Sequence, residues 1–213
     1  MRPVGSTALL AAATAAALSG CTASGTSATH STSALPSQGS STSIPVRPST
    51  ASGSVAVVHH PLHLPTIRPG QRCPVTLSRR QPDPALGIVQ GLGPAGPVGL
   101  SAHGVLHYGA PNPDRFVDRS WGGQKVLWAV DNSVDGAVLV RGRQLDGPHR
   151  LGFNDPALPE LVLEPKPVSH PGGWRDYPSY TRLRAPGCYA YQVDTPSRSF
   201  VIVFRADGPS LRR

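Results

Sequence analysis

The chain has no acidic residue among its first 80 positions, only two lysines, only three cysteines, and no methionine beyond Met1. Each scarcity excludes something. A blue-copper centre of the usual kind draws on Met and a free Cys beside its histidines, and neither is on offer here. Clean helical periodicity is missing as well: Pro and Gly together fill 47 of 213 positions, and no twelve-residue window after residue 21 keeps a 3.6-residue apolar period. A mostly helical protein is thereby excluded. Aromatic residues are 6% and charged residues 15% of the chain, but the hydrophobic share of 38% is too high for a wholly disordered polypeptide, so part of it folds.

The formal charge of +8 comes from 20 basic and 12 acidic residues, and 18 of the basic ones are Arg. With abundant Ala, Gly and Pro, this skew matches the coding bias of a GC-rich genome. Basic and aromatic residues do not interleave on one evident face, so nucleic acid is not an expected partner. All the acids fall between Asp83 and Asp207. Two compositionally different segments therefore share one chain.

The first segment begins with one charge, Arg2, and an apolar run over residues 8–18 that ends in Leu18-Ser19-Gly20-Cys21. Eleven apolar residues suit the hydrophobic region of a secretory signal, whereas a helix spanning a bilayer core needs about 20. Leu-Ser-Gly-Cys at that position resembles the lipobox of bacterial lipoproteins. The resemblance implies a signal peptide over residues 1–20, removed on export, and a diacylglycerol (palmitate-type) modification of Cys21 as the new N-terminus. Two buried acyl chains, at about 0.8 kcal/mol per methylene, hold a protein stably on a membrane without a spanning helix. The implied location is the extracytoplasmic face of the cell membrane, with membrane lipid the partner of the Cys21 acyl chains.

Residues 22–54 contain 17 Ser or Thr in 33 positions and no acid. Such a stretch buries too little apolar area to offset about 1–2 kcal/mol of backbone entropy per residue, so residues 21–60 are expected to form a lipidated, disordered linker. The rest, residues 61–213, is expected to be one domain.

If Cys21 carries lipid, Cys73 and Cys188 remain, and an even remainder in an exported protein predicts a disulfide between them. Residues 188–194 and 198–205 read as a hairpin around Thr195-Pro196-Ser197, the second strand covered on both faces. Residues 124–131 and 136–145, separated by Asn132-Ser-Val-Asp-Gly136, read as a second hairpin. Residues 180–184 lead towards the Cys188 strand, while 82–99 and 154–173 read as Pro- and Gly-dense loops. Short strands between turns predict an all-β fold, a single immunoglobulin-like β-sandwich after the tether. Cys73-Pro74 near the start and Pro186-Gly187-Cys188-Tyr189 near the end resemble motifs of uncharacterised immunoglobulin-like lipoproteins of Gram-positive bacteria. Trp128 lies too far past Cys73, and Pro186 stands where an immunoglobulin tyrosine corner would need Tyr.

The motifs that could carry chemistry are sparse. Gly91-Leu-Gly-Pro-Ala-Gly96 matches a dinucleotide loop in form, but Pro94 and Pro97 deny it the helix whose amides would meet a pyrophosphate. Gly-x-Ser-x-Gly and Ser-x-x-Lys are absent. His59, His60, His63, His103 and His107 are the only candidate metal ligands by clustering, and His103 and His107 would stand about 13 Å apart on an extended strand, too far to share an ion. No cofactor and no catalytic residue is expected. The sequence thus favours a non-enzymatic envelope module that binds a cell-wall polymer, a solute or another envelope protein, with loops 82–99 and 154–173 and the adjoining Trp174, Tyr177 and Tyr180 as contact candidates. Its alternative is a metal-binding protein or metal-dependent enzyme built on the five histidines.

Overall fold

A computed structural model describes residues 56–81 and 83–211. The signal peptide, Cys21 and the Ser/Thr-rich segment lie outside the described residues. Eleven strands, and no helix among the described residues, form two sheets: β1 (Ser78–Arg80), β2 (Ile88–Gln90), β3 (Ala95–Val98), β4 (Val105–His107), β5 (Gly122–Asp131), β6 (Val138–Gln144), β7 (Gly152–Phe153), β8 (Leu161–Leu163), β9 (Trp174–Leu183), β10 (Gly187–Asp194) and β11 (Ser199–Asp207). One sheet has the order β1-β2-β3-β5-β9-β7, the other β4-β11-β10-β6-β8. Only β4 runs parallel to its neighbour, β11. The expected all-β sandwich is the fold of the protein.

The sheets meet through alternate side chains, as a two-residue period dictates. Val126, Trp128 and Val130 of β5 face Val138 and Val140 of β6, Tyr189, Tyr191 and Val193 of β10, and Ile202 and Phe204 of β11. Tyr191 stands edge-on to Trp128 with ring centroids 5.2 Å apart and stacks on Phe204 at 4.5 Å, pairs that contribute about 0.5–1.5 kcal/mol each beyond burial. Its hydroxyl shares a 2.8 Å hydrogen bond with Thr181, and burial pushes its ionisation far above the usual phenol range.

The hairpin around Thr195 forms as expected, with Asp194 opposite Ser199 and Gly187 opposite Ala206. The second expected hairpin does not form. β5 and β6 belong to different sheets, because the full ten residues of β5 pair with β9, from Gly122 opposite Leu183 to Asp131 opposite Trp174. The link 132–137 crosses the sandwich edge. Val134 plugs it, Arg175 donates to the carbonyls of Asp131 and Val134 at 2.8 Å, and Gly136 at φ +125° packs so closely on Pro196 that a Cβ there would lie 2.7 Å from its Cγ. The expected loops are also partly strand: 82–99 contains β2 and β3, and 154–173 contains β8.

Residues 56–76 make no strand but lie as a strap along the outer face of the β4-β11-β10-β6-β8 sheet. Pro61, Pro65, Pro69 and Pro74 deny this stretch a continuous ladder, so side chains of the sheet hold it instead. Buried Gln192 accepts from His63 N at 2.6 Å and donates to Pro61 O at 2.9 Å, and Arg141 donates to His60 O. Leu64, Ile67 and Cys73 of the strap pack over Ala190, Val201 and Val203. β11 is therefore covered on both faces, as its sequence suggested. The strap ends at the expected disulfide, Cys73–Cys188, which joins positions 115 residues apart.

Candidate functional site

The strap covers most of the outer sheet face but leaves the Cys188 end open. There a groove of about 720 Å³ is floored by Val75, Val105 and the disulfide, and rimmed by Arg72, His103 and Arg205 on one side of the charge balance and Asp146 and Asp207 on the other. Strand alternation places Arg205 and Asp207 outward on β11 while Phe204 and Ala206 enter the core. Gly104 lets the rim approach closely: a Cβ there would sit 2.3 Å from a Val75 methyl, and φ is +64°. Gly187 opens the other rim in the same way against Gln144 and Asp146.

Each of the two acids of the groove has a neighbour within the protein. Asp146 accepts from Cys188 N at 2.9 Å, and Asp207 lies 3.5 Å from His107 Nδ1. Among the described residues, neither Arg72 nor Arg205 meets a carboxylate. The groove thus presents exposed guanidinium groups over an apolar floor.

The structure disperses the five histidines of the sequence analysis. His59 faces Glu160 at 3.8 Å near the start of the strap, His60 and His63 contribute backbone atoms to its anchoring, His103 is on the groove rim, and His107 is on β4 beside Asp207. Among the described residues no three His, Cys, Asp or Glu side chains come together as a metal site. The contact candidates are also re-placed. Trp174, Tyr177 and Tyr180, expected beside the loops, belong to β9: Trp174 is buried with Leu86 and Val89, Tyr177 packs on the main core, and Tyr180 meets Phe116 edge-on at 5.2 Å. Gly91 to Gly96 serves as the β2–β3 turn, where Gly93 must be small because Phe200 lies 2.5 Å from where its Cβ would be.

One polar cluster was invisible in sequence. His170 Nδ1 lies 2.7 Å from Asp83 and its Nε2 lies 3.7 Å from Asp176, while Ser169 Oγ donates to Asp176 at 2.5 Å and Lys166 reaches the same oxygen at 3.4 Å. The Asp83 amide-facing oxygen accepts from Ala85 N, which with the His170 contact holds its carboxyl below the ordinary range. Hydrogen bonding from Ser169 does the same for Asp176. Ser169 bonds a carboxylate held below its ordinary range, a weaker base than an imidazole. The cluster ties loop 83–87 to the turn before β9.

Five arginines act as staples for loops, four of them through carbonyls. Arg79 donates to Leu92 O and Gly93 O, Arg141 to His60 O and Asp194, Arg175 to Asp131 O and Val134 O, and Arg184 to Ser120. Arg182, wholly buried, makes five bonds, to the carbonyls of Gly122, Asn154, Asp118 and Trp121 and to Asp155, with its guanidinium 3.7 Å above the Phe116 ring. A fold this poor in regular ladders satisfies its loops with planar five-donor forks.

No protein-family model matches the chain, and no curated protein matches it. Among solved structures, the CooA pilin subunit from enterotoxigenic Escherichia coli matches with a TM-score of 0.31 and 6% identity, over 56% of this chain and 100% of the pilin chain. At that score the likeness carries no functional argument.

Proposed function

We propose that the protein is a lipid-anchored extracytoplasmic module that binds an envelope component and catalyses no reaction. The supporting observation is the clasp between Cys73 and Cys188, which leaves Cys21 as the one remaining cysteine, placed at the end of an apolar run in a lipobox-like sequence. A disulfide closing most of the folded region fits an oxidising compartment. The described polar clusters hold loops together, which fits a display scaffold better than a reaction centre. The test is mass spectrometry of the mature protein from membranes. A diacylated N-terminal Cys21, with Cys21→Ala releasing the protein from membranes, is the expected result; an unacylated, freely soluble product overturns the proposal.

A further inference from the structure

We infer that the groove beside the disulfide binds the phosphate group of a polyol phosphate, free or carried on a polymer. The inference deepens the binding-module reading and relies on it for the extracytoplasmic setting. Three observations carry it. Asp146 accepts from Cys188 N and Asp207 lies beside His107, while Arg72 and Arg205 are exposed with no carboxylate within 4 Å among the described residues. Two guanidinium forks and the His103 ring line the same groove, and together they offer more donors than the two oxygens of a carboxylate take up. The apolar floor of Val75, Val105 and the disulfide accepts the carbon skeleton of the polyol.

A lipid headgroup carries the same phosphate chemistry, so the experiment includes it as a separate arm.

The experiment is calorimetric titration of the mature lipidated protein, in neutral detergent micelles, with glycerol 3-phosphate, and separately with glycerate. Saturable one-to-one binding of glycerol 3-phosphate, tighter than glycerate, is expected. The pair Arg72→Gln and Arg205→Gln should weaken it at least tenfold, while the charge-matched pair Arg115→Gln and Arg119→Gln should leave it within twofold. Both pairs are exposed, and unchanged melting temperatures verify the fold. No saturable binding, equal loss in both pairs, glycerate binding as tightly, or binding confined to phosphatidylglycerol vesicles would each overturn the assignment. Acylation of Cys21 is scored independently, so a dry groove on an acylated protein refutes the ligand and leaves the anchor standing.

Discussion

Replacing Arg182 by Met tests whether arginine staples hold this fold. The side chain crosses a trench on the outer face of β9 whose walls are glycines: Gly123 on β5 and Gly152 on β7 both stand opposite Arg182 in register. A Cβ on Gly123 would lie 2.8 Å from the Arg182 Cδ. Met fills much of the trench but leaves four carbonyls and the Asp155 carboxylate without their donor. Removing one partner of a buried, hydrogen-bonded ion pair costs about 3–5 kcal/mol. For a domain of this size each kcal/mol moves the melting temperature by about 2–4 °C, so a fall of roughly 6–20 °C is expected. A thermal melt measures that fall, and urea unfolding followed by Trp fluorescence measures the loss of free energy. Arg182→Lys should recover only part of the loss, since an ammonium cannot span five acceptors on two segments. A cycle with Asp155→Asn should return a coupling of about 1.5–3 kcal/mol, the range of a charge-assisted bond. A loss below about 1 kcal/mol for Arg182→Met, at unchanged urea slope, would refute the staple reasoning.

Three further outcomes are expected. Cys73→Ser with Cys188→Ser removes a cross-link over a loop of about 116 residues and should cost up to about 5 kcal/mol in urea unfolding; an unchanged midpoint would show that the clasp constrains nothing. Hydrogen bonds from Val117, Asp118 and Arg182 hold Asp155 below its ordinary range; at Asp194 burial opposes ionisation, but bonds from Ser199, Arg141 and Gln192 outweigh it. Both folded values lie below the unfolded ones, so this stability is present above about pH 4 and lost as pH falls below it; a urea midpoint that stays flat down to pH 2.5 would contradict it. Gln192→Leu orphans His63 N and Pro61 O, and should speed amide exchange over residues 60–68 at least tenfold while leaving β5 and β9 protected; uniform acceleration across both sheets would mean that the strap has no separate opening.

The strands were legible where one stretch carried its own partner. β10 and β11 are β-rich, adjacent and joined by Thr195-Pro196-Ser197, so local sequence determines their pairing. β5 and β6 have the same alternation and a turn-like link, yet the partner of β5 is β9, some fifty residues on; period two specifies a face, never a neighbour. Trp174 and Tyr177 lie outside the run read over residues 180–184, yet they and Pro178, which stands opposite Leu127, belong to the same ten-residue strand. The disulfide followed from cysteine parity. The groove did not, since Arg72, His103 and Arg205 are scattered over 134 positions and only the strap's path leaves them around one opening. Asp83 and His170, 87 positions apart, left no local signal for the same reason. Arginine abundance looked like coding bias, and five of those side chains proved to be loop fasteners.

The route of the strap has a mechanical consequence. Tension applied from the N-terminal side would first strip its attachments one after another, beginning with those of Arg141 and Gln192. After about 17 residues, a contour of some 60 Å at roughly 3.5 Å each, the load reaches a covalent stop at Cys73. Force then passes through sulfur into β10, in the middle of its sheet, so the protein carries its own shock absorber between a pulled end and a sandwich that stays closed.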